Sequence, residues 1–213
     1  MKRLLIIFFA IGVLCLSAAN SVYAQWTTLS QANERRYEMI TALHDGKLVV
    51  VNGFNQRIEL VNSVEIYDPT DNSWTLVNTT EVGLENAVTH AGNVLVGDDL
   101  WIIGGRVGDH PGAVTNKVWI YNITHNNWRA GPDLPEPFAG GGAGFVNGNI
   151  HLFGGLDTRG RCDVDHHFVY DTQGGGEWLD ISDTAPMPMA RNHFSTAVYK
   201  NKIYALGLSL IHI

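Results

Sequence analysis

Charge is scarce in this 213-residue chain, at 16%, and it leans one way, with 14 Lys+Arg against 21 Asp+Glu for a net of −7. The shortage of basic residues argues against nucleic acid as a partner, because a phosphate-binding surface needs a basic face. Cysteine is rarer still, with only two residues, Cys15 and Cys162. That is too few for a disulfide framework, so the fold has to rest on a hydrophobic core. Heptads are missing, which excludes a coiled coil, and glycine keeps no strict period, which excludes collagen. Beyond the first 24 residues no stretch sustains helical periodicity or forms a long apolar run, so neither an α-rich fold nor a multi-pass membrane protein is expected. What the chain does have is 45% hydrophobic residues, 23 Gly and six Trp. That is enough apolar surface to exclude intrinsic disorder, and it points to an all-β globular protein.

Residues 1–24 stand apart. Lys2 and Arg3 precede an uncharged apolar run from Leu4 to Leu16, and small or polar residues follow up to Val22-Tyr23-Ala24. This is the layout of a secretory signal peptide cut after Ala24. The apolar run is too short for a membrane span of about 20 residues. Lipoprotein acylation at Cys15 is disfavoured because Leu14 stands where a small side chain belongs. The expectation is therefore a secreted or periplasmic protein, with no membrane span once the signal is cleaved. The single remaining cysteine, Cys162, has no partner for an intramolecular disulfide.

The rest of the chain repeats. Lys47-Leu-Val-Val-Val-Asn-Gly53, Asp99-Leu-Trp-Ile-Ile-Gly-Gly105, Asn149-Ile-His-Leu-Phe-Gly-Gly155 and Lys202-Ile-Tyr-Ala-Leu-Gly-Leu208 align with a period of about 50. Behind the first three come Val64-Glu-Ile-Tyr67, Val118-Trp-Ile-Tyr121 and His167-Phe-Val-Tyr170, and then Trp74, Trp128 and Trp178. Trp26 starts the same series one unit earlier. Each unit reads as four short strands. The first spans Met39 to Leu43, Asn93 to Val96, Ala143 to Val146 or Ser195 to Tyr199. Tight turns at Asp45-Gly46, Asp98-Asp99, Asn147-Gly148 and Asn201-Lys202 lead into the Gly-ended strand, with the Tyr strand third and the Trp strand fourth.

Units of this size carrying a double Gly, a Tyr and a Trp at recurring places resemble kelch repeats, and the resemblance covers residues 25 to 208. It is similar, more narrowly, to secreted and periplasmic kelch proteins and the galactose-oxidase-like central domain. The resemblance implies a β-propeller of four-stranded antiparallel blades. The units run over about 36–77, 88–131 and 138–181, with the start of another at 191–208 and an outer strand at 25–30. Arg36 and Arg191 hold the Arg that often opens a kelch unit, whereas Val88 and Phe138 replace it, and Asn52 replaces a Gly. A six- or seven-bladed ring takes about 300 to 350 residues, so three full blades and parts of others read as a fragment.

The recurring Trp26, Tyr67, Trp74, Gly104, Gly105, Tyr121, Trp128, Gly154, Gly155, Tyr170 and Trp178 are expected to be structural, as blade-packing residues and close backbone approaches. The resemblance places ligands at the loops after the Gly pair and at the start of the first strand. Those positions hold Arg106, then Asp157, Arg159 and Arg161, and also Glu38, His90 and His193, with Gly140 the third unit's side-chain-free equivalent. Three Arg and two His suggest recognition of a carboxylate on a sugar or peptide. The cluster Arg159-Gly-Arg-Cys-Asp-Val-Asp-His-His167 carries no zinc or calcium motif, and strand alternation sends His166 and His167 to opposite sides. No metal site and no cofactor are expected. Copper would enter only through a galactose-oxidase-like alternative, which needs a Cys-Tyr crosslink, a second Tyr and two His. The chain thus reads as an exported binding module for a carbohydrate or a peptide or protein ligand. The alternatives are a sialic-acid-type sugar epimerase or copper oxidase on the same scaffold, and a structural envelope protein.

Overall fold

A computed structural model describes residues 26–77 and 87–207. The expected signal peptide and the tail from residue 208 lie outside the described residues. The first blade is an antiparallel meander of β1 (Ile40–His44), β2 (Lys47–Val51), β3 (Val64–Asp68) and β4 (Ser73–Val77), paired in that order. After β5 (Val88–Thr89), the second blade is built from β6 (Gly92–Val96), β7 (Asp99–Ile103), β10 (Val118–Asn122) and β11 (Asn127–Ala130), with β8 (Arg106–Val107) and β9 (Ala113–Val114) between its second and third strands. The third blade is β12 (Gly142–Val146), β13 (Asn149–Phe153), β14 (His167–Asp171) and β15 (Leu179–Asp180), and a hairpin, β16 (Ser195–Tyr199) and β17 (Lys202–Leu206), begins a fourth. Three full blades and one hairpin form an arc whose first strands meet in chain order, β1 on β6, β6 on β12 and β12 on β16.

Strand alternation explains the apolar runs. In β7, Leu100 and Ile102 face the first blade with Tyr121, packing on Ile40, Val49, Val51 and Val64. The alternate residues Trp101 and Ile103 face the third blade and meet Ile150, Leu152 and Phe168. A blade between two others buries both faces, so its strand reads as continuously hydrophobic rather than alternating. The Tyr and Trp of each unit stack across β3–β4, β10–β11 and the third blade, with ring centroids 5.1, 5.0 and 5.3 Å apart.

Two turns sit one residue earlier than their sequence suggests. Val96 pairs with Asp99 and Tyr199 with Lys202, so the turns are Gly97-Asp98 and Lys200-Asn201. A two-residue hairpin loop needs positive φ, which Gly97 (60°) supplies in one and Lys200 (48°) and Asn201 (57°) supply in the other. Trp26 is also not a packing residue here. It is 99% exposed and in no strand, because no blade stands before it among the described residues. Its segment instead crosses the first blade, where the carbonyl of Ser30 accepts from Trp74 Nε1 at 3.0 Å. The carbonyl of Pro132 does the same for Trp178 at 2.9 Å.

The Gly pairs do bring backbones together. A Cβ on Gly105 would sit 2.6 Å from the Thr89 carbonyl oxygen, and one on Gly155 would sit 2.8 Å from that of Ala139. Asn52 takes the place of Gly104 and Gly154 with nearly their geometry, φ 54° against 65° and 67°. Asparagine is among the few residues that tolerate the left-handed region.

Candidate functional site

Each blade's first strand runs away from one end of the arc and its second strand returns to it. The connections between second and third strands therefore gather at that end. Each folds back over its own blade in a small extra pairing: Phe54 with Tyr37 and Leu60, β8 with β5 and β9, and Leu156 with Ala139 and Asp163. Nothing in the period of the strands announces this second tier, because its pairings are only one or two residues long.

Beneath that tier, at the start of each first strand, stand Glu38, His90, Gly140 and His193. All four occupy the left-handed region, at φ 54°, 57°, 71° and 52°. Backbone hydrogen bonds tie the last three together, from Gly140 N to the His90 carbonyl at 2.7 Å and from His193 N to the Gly140 carbonyl at 2.8 Å. With Met39, Asn93 and Phe194 they line a hollow of about 200 Å³. His90 Nε2 lies 3.2 Å from the Glu38 carboxylate, and the rings of His90 and His193 meet edge to face with centroids 4.9 Å apart.

Protonation states follow from the contacts. Burial pushes His90 down to about 4, with His193, Arg106 and His110 acting in the same direction, so the ring is neutral at pH 7. Its Nε2–H donates to Glu38, and its Nδ1 accepts from Thr89 Oγ1 at 2.9 Å. His193 Nδ1 bonds Asn192 Oδ1, and Asn192 Nδ2 donates to Asp163. With Nδ1–H donating to Asn192, the neutral tautomer of His193 presents its Nε2 as an acceptor.

The other expected site residues do not join the hollow. Arg106 donates to the carbonyls of Pro111 and Gly112, each at 3.1 Å, and of Gly160 at 2.7 Å. It is a tether between the loops of the second and third blades. Asp157 holds its own loop, accepting from the backbone N–H of Arg161 at 2.7 Å and of Cys162 at 3.4 Å, and these bonds depress its carboxyl. Arg159 folds onto Asp157 at 3.4 Å, and Arg161 is exposed. So the structure brings together Glu38, His90 and His193, and sets Arg106, Asp157, Arg159 and Arg161 in the loops beside them.

Residues that sequence reasoning passed over include Asn192 and Glu65, and Asp163 was weighed only as part of a metal cluster. Glu65 is fully buried, where it accepts from Arg36 Nη2 at 2.6 Å and from Asn33 N at 2.8 Å. Arg36 also reaches the carbonyls of Asn52 and Ser63, so the Arg that opens the unit ties the blade start to the ends of β2 and β3. The neighbouring Arg36 was the available signal for Glu65, and the adjacent His193 was the one for Asn192.

Among the described residues no group of three or more His, Cys, Asp or Glu is arranged to hold a metal ion. Cys162 is exposed, and three of the four ring nitrogens of the two imidazoles in the hollow are engaged, by Glu38, Thr89 and Asn192. His166 and His167 diverge as alternation requires, His166 to Glu136 at 2.7 Å and His167 to the Ala185 carbonyl at 2.7 Å.

Four-stranded meander blades packed face to face, with their variable residues gathered at one end, define a β-propeller, here one that does not close among the described residues. The chain belongs to the KLHDC2/KLHL20/DRC7 kelch-repeats domain family, which it matches over residues 11–155. It is similar to the kelch-like protein terF of Aspergillus terreus, 24% identical over 197 residues, covering 88% of this chain and 42% of that protein. Human kelch-like protein 23 is 27% identical over 189 residues, covering 88% of this chain and 31% of its own length. A kelch domain-containing protein of Sulfurisphaera tokodaii is 28% identical over 155 residues, covering 72% of this chain and 20% of its own. The chain thus spans less than half the length of these relatives. The solved structure of YjhT superposes with a TM-score of 0.68 at 16% identity, covering 84% of this chain and 64% of that one, which is a likeness of fold.

Proposed function

We propose that the protein is an exported kelch binding module that takes a protein ligand on its loop face, at the hollow formed by Glu38, His90, Gly140 and His193. The observation that supports this most is the contrast between repeats. The Tyr, Trp and Gly positions recur to build blades, while these four equivalent positions share one left-handed backbone geometry and carry Glu, His, no side chain and His in turn. Repeat proteins bind through residues that vary on a constant frame. A non-glycine residue held in the left-handed region costs about 1–3 kcal/mol, and such strain gathers where a fold presents function. Export rests on the layout of residues 1–24, and the mature chain is expected to begin at Gln25; mass spectrometry of the secreted protein checks that terminus. A carbohydrate ligand is the second outcome to be tested.

A photo-crosslinking amino acid placed at Glu38 or His193 should capture the ligand. The same group at Asp45 or Asn147, in hairpin turns at the opposite end of the strands, should not. Capture at the turns alone would overturn the assignment of the face.

A further inference from the structure

The hollow is short of hydrogen-bond donors. Arginine and histidine in the sequence suggest a pocket that offers protons to a carboxylate, but each side-chain donor group that borders the hollow already makes a hydrogen bond. The His90 Nε2–H points to Glu38, the His193 Nδ1–H to Asn192, and Asn93 Nδ2 donates to the Thr41 carbonyl at 3.0 Å. Arg106, the nearby guanidinium that His90 feels, is spent on three backbone carbonyls. What remains available is a set of acceptors: the second oxygen of Glu38, the Nε2 of His193 and the Oδ1 of Asn93. Glu38 is the single charged group lining the hollow, and its side chain is 41% exposed, so its charge faces the opening. Met39, Ile40 and Phe194 complete the wall with apolar surface.

From this arrangement we infer that the site takes a cationic side chain, a lysine or arginine of the partner protein, with its charged head on Glu38 and its methylene stem along Met39 and Phe194. An ammonium or guanidinium brings only donors, which matches three acceptors, and a carboxylate brings only acceptors, which would meet none of its needs here. Long basic side chains suit such a hollow because their stems bury apolar surface while the head stays polar. A volume of about 200 Å³ admits the end of one side chain rather than a folded surface. His193 meets His90 edge to face beside Gly140, where a Cβ would lie 3.6 Å from His193 Cε1.

This inference rests on the loop face being the binding face, and its test separates the two. Acetylated and amidated pentapeptides with a central Lys, Arg, Glu or norleucine between glycines are titrated into the full chain, and the imidazole resonances of His90 and His193 are followed by NMR. The Lys and Arg peptides should shift both rings, while the Glu and norleucine peptides leave them in place. Glu38→Gln keeps the shape and the acceptor for His90 but removes the charge, and should weaken the Lys peptide about tenfold. Glu136→Gln, which removes a carboxylate also paired to an imidazole but outside the hollow, should change nothing. Shifts from the Glu peptide with Glu38→Gln neutral would overturn the cationic ligand and keep the face. Absence of any shift would overturn the cationic ligand, and the crosslinking result then decides the face by itself.

Discussion

Trp26 and Trp178 hold the same place in the repeat and opposite places in the molecule. Trp178 is 5% exposed, stacked on Tyr170 and hydrogen-bonded to Pro132, whereas Trp26 is 99% exposed. Trp178→Ala should therefore cost about 3–5 kcal/mol and Trp26→Ala less than about 0.5 kcal/mol, read from urea unfolding. Glycines divide similarly. Gly46 and Gly105 both have positive φ, 75° and 105°, but a Cβ on Gly46 meets nothing within 4 Å while one on Gly105 meets Thr89 and Ala91. Gly46→Ala should cost about 1 kcal/mol from backbone strain alone, and Gly105→Ala about 3 kcal/mol or more because a clash is added. At this scale the repeat was legible and the environment was not. A position in a period says which neighbours a residue ought to have. Whether those neighbours exist depends on chain far away in sequence. The same limit hid the use of Arg106, whose acceptor Gly160 is 54 residues on.

Strands were the most readable elements. Five-residue β2, β7, β13 and β17 each follow a tight turn, and the third-strand partners of the first three end on Tyr-Asp or Tyr-Asn, so alternation and turn chemistry together fixed the register within one residue. The short pairings above the hollow escaped notice for the converse reason, since one or two residues carry no period. A pair of strands also sets up a pH response. His151 on β13 and His167 on β14 face the fourth hairpin, with His151 Nδ1 3.0 Å from His167 Nε2, and His167 Nδ1 donating to the Ala185 carbonyl. Burial first, then His167, holds His151 below the usual imidazole range. A depressed imidazole favours the neutral folded form, so the unfolded chain binds more protons and stability falls as pH drops below about 6.5. His90 adds to the same loss over the window from 6.5 towards 4. Tm should be flat above pH 7 and decline steadily to pH 5, and the double replacement His90→Gln, His151→Gln should flatten that decline; an unchanged slope would mean that these rings are not the source.

Over the whole molecule the blades form a linear array, and their joints are built differently. Between the second and third blades Gly105 N donates to the Phe138 carbonyl, and Gly140 N donates back to His90; between the third blade and the hairpin Gly155 N donates to Arg191, and His193 N back to Gly140. Each of these joints is clasped by at least two backbone hydrogen bonds that no side-chain change removes. Between the first and second blades the polar contacts run largely through side chains: His44 to Asp98 at 2.9 Å, His90 to Glu38 at 3.2 Å, Leu60 N to Asp109 at 2.7 Å and Asn93 to the Thr41 carbonyl. Three of these four depend on a carboxylate. This joint is therefore the one most open to side-chain substitution, and the double replacement Asp98→Asn, Asp109→Asn should speed hydrogen exchange at the amides of β1 and β2 while those of β12 and β13 keep their protection. The molecule carries a fault line drawn by side chains. It runs beside Glu38, so the residue that would hold a ligand also belongs to the seam where the structure parts first.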